Sequence, residues 1–433
     1  MKKTLLQIAI MLSTFSLFAQ NYSNGLFIMN EGNFGTTNGD ISFLDYDSDV
    51  LYEDVFQTEN TSEEGFDVLQ DFKLFDGSAF FLTKGSANEK LVIADANTFI
   101  LSTTIDLDGV GPQSVTIISD SKAYVSCTND PTLRILDLTE DSISGSVGSS
   151  LGSFSAQDYI MLHNSLAYIF MGDKLGIIDI ELDSAYNEIL LPDAEVACSG
   201  MILEGDKLYV LTNSGWSGNE SRLFRVDLEM TTVEANIDLS NLGKARLLQS
   251  DGENLYFMIT NEVYKMSMTD DIAPSASFAT SSYSDNWDLA YGKSFFIDEN
   301  LQEIYIGSAE GFASDGTYEV RDLNDGISLS VQNPSGGIGI SKFLVNGGVV
   351  GIKEQKEIIV SIYPQPATDF IMLSFNDIQM RETSLFTSNG SKVRFTKSSD
   401  KKVIFDLSDL TAGVYFIRVE SNEGLTNKKI LVY

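Results

Sequence analysis

The chain has 433 residues, a formal charge of −34 and a single histidine, His163. Its length exceeds what one hydrophobic core usually serves, so two domains or one large repeat array are expected. A field this negative repels phosphate backbones and anionic head groups, which makes nucleic acid and bare membrane surface poor partners; one imidazole disfavours zinc hydrolases and Ser-His-Asp chemistry.

The chain opens with Lys2 and Lys3, an apolar run from Leu5 to Phe18 and then Ala19-Gln20. That is the layout of a secretory signal cut after Ala19, so residues 1–19 are read as a signal peptide and the remainder as exported. No cysteine follows the run, which disfavours a lipid anchor. No later stretch approaches the roughly 18 to 20 apolar residues of a membrane span.

Beyond Gln20, short β-branched and aromatic runs recur with one shape. GLFIMNEG, SAFFLTKG, KAYVSCTN, LAYIFMGD, KLYVLTNS, NLYFMITN and EIYIGSAE each carry an aromatic at the same place: Phe27, Phe80, Tyr124, Tyr168, Tyr209, Tyr256 and Tyr305. The spacings of 53, 44, 44, 41, 47 and 49 residues leave room for four short strands per unit. A second run follows each, closed by Asp45, Asp95, Asp137, Asp179, Asp227 or Asp322, and by Ser267 in the sixth copy. These aspartates are read as acceptors for turn amides just beyond the strand. Seven such units predict an all-β fold, a seven-bladed β-propeller over residues 20–348. The first unit lacks an inner strand, whereas GGIGISKFLVN, Gly336 to Asn346, is left over after the seventh. This segment is predicted to complete blade one and close the ring. Asp45, Asp47 and Asp49 alternate as in a calcium loop, but Val50 and Phe56 stand where such a loop needs Gly and Glu, so no metal site is assigned.

Strand direction alternates within a blade, which puts two sets of loops on one face: those after each aromatic strand and those leading into each inner strand. Counting back nine or ten residues from the aromatic gives Asp71, Ser114, Asp158, Gly200 and Arg246 in blades two to six, and blade seven offers Asp288. Gln70, Gln113 and Gln157 precede three of them, so polar groups ring the mouth of the central channel. Phe34, Tyr159, Trp216, Trp287 and Phe312 stand on neighbouring loops and offer flat apolar contact. The first of those loops, Asn30-Glu31-Gly32-Asn33, reads equally well as a tight turn with Gly32 at positive φ or as a set of ligand contacts. Arg246 is read first as a charge partner for nearby carboxylates. Cys127 ends an aromatic strand in blade three and Cys198 leads into blade five, a separation that argues against a disulfide.

Residues 20–355 hold 16 Lys and Arg against 53 Asp and Glu, a net −37, whereas residues 356–433 hold 10 against 9. The chemistry changes there, so 349–355 is read as a linker and 356–433 as a second domain. IYPQPATDFIMLSF, LFTSNGSKV, DLSDLTAGVYFIRVES and the final KKILVY resemble the C-terminal sorting domain of type IX secretion cargo in Bacteroidetes, with Gln365 where that family usually has Asn. The resemblance implies a small immunoglobulin-like β-sandwich that engages the type IX secretion machinery and leaves the protein secreted or at the cell surface. Alternation in FIMLSF, KVIFDL and VYFIRVE, with turns at Asn389-Gly390 and Ala412-Gly413, agrees with short sandwich strands.

FIMNEGNFG, the VLQD segment from Val68 to Asp71 and the AYVSC strand resemble the secreted or surface propellers of Bacteroidetes of the surface-layer or YncE-like type. Some members of that group capture vitamin B12 for an outer-membrane transporter. The resemblance therefore implies a corrinoid ligand, a TonB-dependent transporter as partner, and contact roles for Asn30, Glu31, Asn33, Gln70 and Asp71. The function expected is that of an exported, non-enzymatic binding propeller without a cofactor. Its site residues are Asn30, Glu31, Asn33, Gln70, Asp71, Gln113, Gln157, Asp158, Trp216, Arg246, Trp287 and Asp288. Two alternatives stand beside it. One is a glycan-active enzyme with paired carboxylates such as Asp71 and Asp158, near 5 Å or about 6.5 to 9.5 Å apart. The other is a structural or adhesive surface-layer protein whose upper face binds protein or glycan.

Overall fold

Short alternating strands joined by tight turns cannot bury their apolar faces singly, and stacking them as sheets around an axis solves this. The computed structural model describes residues 22–85, 89–107, 109–130, 132–148, 159–215, 218–283, 294–346, 360–364, 367–375, 380–387, 392–396, 402–421 and 424–433. The expected signal peptide and linker lie outside these residues. The chain divides into two compact units, Met1–Gly351 and Ile352–Tyr433. Among its described residues the first unit forms seven four-stranded antiparallel sheets, the blades of a propeller.

Each repeat aromatic is buried on the second strand of its blade and packs across to a neighbouring sheet. Phe27, Phe43, Phe72, Phe81 and Phe99 join blades one and two in one cluster. Burying a tyrosine ring leaves its hydroxyl in need of a partner: Tyr209 donates to the Met268 carbonyl at 3.2 Å, Tyr256 to Asp251 at 2.6 Å and Tyr305 to Glu303 at 2.6 Å. The strand-closing aspartates cap their turns as expected; Asp45 accepts from the Asp47 and Ser48 amides, and Asp179 from those of Glu181 and Leu182.

The inner strands are Val68–Phe75, Pro112–Ser119, Ile160–His163, Ala197–Glu204, Ala245–Ser250 and Phe295–Asp298 in blades two to seven. Blade one takes its inner strand from the far end of the unit. Ile340–Asn346 pairs antiparallel with Gly25–Asn30, setting Phe27 opposite Leu344. The closing segment is shorter than the sequence implied. Gly336, Gly337 and Ile338 belong to the outer strand of blade seven, Ser328–Ile338, and the chain crosses over at Gly339, whose φ of 73° suits glycine. Cys127 and Cys198 are both free thiols.

The second unit is a β-sandwich. Val360–Tyr363, Phe370–Phe375 and Lys402–Asp406 form one sheet; Lys392–Thr396, Met380–Thr387, Gly413–Ser421 and Gly424–Val432 form the other. Inward positions such as Ile371, Leu373, Leu385, Phe405, Ile417 and Ile430 make its core. No helix among the described residues is long and apolar enough to cross a membrane.

Candidate functional site

Cross-strand register, rather than distance along the chain, identifies which residues are equivalent around the hub. In blade two Lys73 lies opposite the repeat aromatic Phe80, and Asp71 opposite Leu82, two residues on. The same position in blades one, three, five and six holds Lys342, Ser114, Gly200 and Arg246. In blade four, continuing the ladder one pair past Ile160 and Ile169 reaches Tyr159. In blade seven the Gly307 amide donates to the Ser294 carbonyl at 2.8 Å, which puts Ser294 there. This corrects the reading made along the chain, in which the count gave Asp158 for blade four, a longer inner hairpin offered Asp288 for blade seven, and blade one had no counterpart. Gln157, Asp158, Trp216, Trp287 and Asp288 all lie outside the described residues.

Three of these hub positions are bonded into one chain. Lys342 Nζ donates to Asp71 Oδ1 at 2.8 Å and to the Phe72 carbonyl at 2.8 Å. Asp71 Oδ2 accepts from Ser114 Oγ at 2.9 Å and from the Val115 amide at 3.1 Å. The Lys73 ammonium stands 3.7 Å from the same oxygen. Burial alone would raise the Asp71 carboxyl, but the charges of Lys342 and Lys73 and the bonds it accepts hold it well below the usual carboxylate range. Burial draws the Lys342 ammonium down to about 8, with the Asp71 charge opposing. Asp71 is 6% exposed and its acceptor sites are taken up by blades one and three. Its expected place as an open ligand contact is thereby corrected: it is part of the hub frame.

The opening motif resolves in the same direction. Asn30 is 1% exposed; its side-chain amide donates to Ser42 Oγ at 2.9 Å and to the Ser335 carbonyl at 3.3 Å, so it serves the seam between blades seven and one instead of the solvent. Beyond it, the Glu31 and Gly32 amides donate to the Gly339 and Ile338 carbonyls, and the Glu31 carbonyl accepts from the Leu69 amide. The motif thus ties blades seven, one and two together through its backbone. Gly32 has φ 80°, and a Cβ there would come 2.4 Å from the Gly39 nitrogen.

The remainder of the loop stays open. The Asn33 amide donates to Asn38 Oδ1 at 2.8 Å, Thr36 Oγ1 to the Asn33 carbonyl at 2.7 Å, and the Gly35 amide to Asp67 Oδ1 at 2.6 Å. On this internally bonded loop Phe34 is 70% exposed. The side chains of Glu31, Asn33, Gln70, Gln113 and Arg246 are half-buried. Across the ring, the loop after the aromatic strand of blade five holds the lead-in to blade six. Asn213 Nδ2 donates to the Ala245 carbonyl at 2.9 Å, Ser221 Oγ to the Gly243 carbonyl at 2.7 Å, and the Ala245 amide to Ser221 Oγ at 3.2 Å. No group of three His, Cys, Asp or Glu side chains among the described residues is placed to hold a metal ion.

A family profile described as a domain of unknown function (DUF5074) matches residues 24–325, and one described as a secretion system C-terminal sorting domain matches residues 361–433. No curated protein matches the chain. A quinonprotein alcohol dehydrogenase-like protein from Bacteroides thetaiotaomicron is similar in structure at 16% identity, over 76% of this chain and 79% of that one, with a TM-score of 0.56. A hypothetical selenium-binding protein from Sulfolobus tokodaii is similar at 10% identity, over 75% of this chain and 94% of that one, with a TM-score of 0.55. At these identities the likeness is one of fold.

Proposed function

The chain belongs to the DUF5074 family, its sorting domain sends it by type IX secretion to the cell surface or extracellular space, and from these premises we propose that it is a non-enzymatic binding propeller. The upper face, where the loops after the aromatic strands meet the lead-ins of the inner strands, holds a small-molecule ligand. A corrinoid, handed on to a TonB-dependent outer-membrane transporter, is the specific ligand we favour.

The observation that carries this reading is the Phe34 loop. Leaving a large aromatic in water on a loop fixed by its own hydrogen bonds costs solvation and gains no packing inside the fold. Such a rigid, pre-formed apolar surface is what a binding site provides, because little order remains to be imposed when the ligand arrives. Half-buried Asn33, Gln70 and Gln113 supply amide donors and acceptors on the same face, which suits a flat ring system fringed with amides. The hub chemistry supports the absence of catalysis. Asp71 is locked to Lys342 and held ionised, so it is a poor general acid, and an acid is what a glycosidase pair requires.

Titrating the purified full chain with cyanocobalamin in a calorimeter tests the specific ligand. Saturable one-to-one heat that falls in Phe34→Ala and Gln113→Ala variants is the expected result. Absence of heat at millimolar ligand removes the corrinoid.

A further inference from the structure

The three-stranded sheet of the second unit is apolar on both faces. An antiparallel sheet with one side in the core ordinarily turns polar residues to water on the other. Ile371, Leu373, Val403 and Phe405 point inward and are buried. The residues that alternate with them, Phe370, Met372 and Ile404, point outward and are apolar as well. Cross-strand register sets Tyr363 opposite Met372 and Met372 opposite Ile404. Three apolar side chains thus form one row across all three strands, each about 5 Å from the next, as directly paired residues are. Tyr363 is 67% exposed and Ile404 63%. Phe370, two residues from Met372 on the same strand and also exposed, widens the row. Lys402 and Asp406, both exposed, mark the two ends of the face on the Ile404 strand.

This outward face departs from the pattern seen elsewhere in the chain. In the outer strand of blade five the exposed residues are Thr232, Glu234, Asn236 and Asp238. In the larger sheet of the sandwich Phe395 is as exposed as Ile404, but register sets it opposite Ser384, and Lys392 Nζ stands 5.5 Å from its ring. It is a single aromatic beside a cation, whereas the row from Tyr363 to Ile404 is a contiguous apolar surface. Keeping such a surface in water costs solvation and invites association, so it marks a place where something docks.

Size and charge select the occupant. Three strands of about five residues make a face of roughly 15 Å by 17 Å from ordinary sheet spacings. A stable dimer needs about 800 Å² from each partner. A second copy would also bring one −37 body up to another. The sandwich itself carries 10 Lys and Arg against 9 Asp and Glu over residues 356–433, so a partner of either sign can approach it. A small apolar face suits a partner that is bound briefly and then released. The sorting profile spans residues 361–433 and with them the whole row, and the partner this unit serves is the secretion machinery.

We propose that Tyr363, Phe370, Met372 and Ile404 are the surface through which the type IX machinery reads the folded sorting domain. The matching surface on the machinery is apolar at its centre, with an acidic group placed for Lys402 and a basic one for Asp406. The inference rests on the sorting domain alone and is independent of the ligand held by the propeller.

The test follows export of the full chain from a host with type IX secretion, comparing chain outside the cells with chain retained. Ile404→Glu should lower the exported fraction about tenfold and Tyr363→Ser severalfold, while Ile404→Val should export like the parent. Phe395→Ser, equally exposed on the other sheet, should leave export unchanged. Melting curves of the purified chains identify any variant that has lost its fold; Tyr363→Ser, at the end of its strand, then carries the test. Parent-like export of a folded Ile404→Glu overturns the proposal, as does a loss in Phe395→Ser equal to that in Ile404→Glu. A dimer in sedimentation velocity that Ile404→Glu dissolves without changing export assigns the face to a second copy and overturns it too. A parent chain that is not exported removes the sorting assignment and this surface with it; cyanocobalamin titration of the purified chain judges the ligand reading separately.

Discussion

Asp71 is the residue on which the hub turns, because one carboxylate accepts from blade one through Lys342 and from blade three through Ser114 and Val115. Removing one member of such a pair leaves the other charge poorly solvated, a loss of about 3 kcal/mol. Asp71→Ala should therefore lower the urea midpoint clearly, while Asp71→Leu combined with Lys342→Met, which removes both charges, should recover most of it. An Asp71→Ala midpoint equal to the parent's would show the pair to be incidental. The acid limb follows from the same bonds. The folded carboxyl titrates well below its unfolded value of about 3.9. Its contribution is thus complete above about pH 4 and is lost as the pH falls toward the folded value. Below pH 4 the double variant should lose stability less steeply than the parent, measured by urea midpoints at stepped pH; parallel curves would assign the acid sensitivity to other carboxylates.

At the scale of the element, the loop from Asn30 to Asn38 combines two glycines with different duties, and substitution separates them. Gly32 and Gly35 both have positive φ, 80° and 83°, but a Cβ at Gly32 meets the Gly39 backbone whereas nothing lies within 4 Å of one at Gly35. Gly35→Ala should cost only left-handed strain, about 1 kcal/mol; Gly32→Ala should cost distinctly more and weaken ligand binding by displacing Phe34. Equal melting temperatures for the two variants would mean that close approach is not what Gly32 provides. The pattern of strands was legible in the sequence at this scale, because one aromatic per unit must be buried between blades and therefore recurs. The hub residues were less so. Counting from the aromatic assumes inner hairpins of constant length, which holds for Asp71 and Arg246 but gives Asp158 in blade four where register gives Tyr159; in blade seven the longer hairpin assumed for Asp288 overshoots, and register gives Ser294. Lys342 escaped the count because its strand joins blade one from the opposite end of the chain, although that strand itself was recognisable as a surplus. Asn30 closes its strand and Asp71 follows a register shift inside its own; a polar residue at either place marks a ligand contact and a buried strut alike, and only the partners, Ser42 and Ser335 for one and Lys342 and Ser114 for the other, distinguish the two.

For the whole molecule the decisive feature is that the ring closes through a strand from the far end of the propeller. Each blade covers its apolar face with the next, so in an open array the terminal sheets would each expose one face and an unpaired edge. Pairing Ile340–Asn346 with Gly25–Asn30 removes both exposures at once and brings Lys342 to Asp71, so that closure and the hub ion pair are a single event. Deleting Ile340–Asn346 should consequently do more than subtract one strand. It strips the partner from Gly25–Asn30, leaves Asp71 without its cation, and uncovers Leu26, Ile28, Tyr305 and Tyr318, which pack with Ile340 and Phe343 in one cluster. The unfolding of the truncated chain, followed by calorimetry, should lose its single cooperative transition and spread over a broad range as blades separate from the opened seam inward. The −37 body would repel other copies of itself, so association through the bare edge should rise as salt screens that charge, read by light scattering across a salt series. A truncated chain that melts in one sharp transition at the parent's temperature would show that neighbouring blades cohere without the closing strand, and the coupling between ring closure and the hub would have to be abandoned.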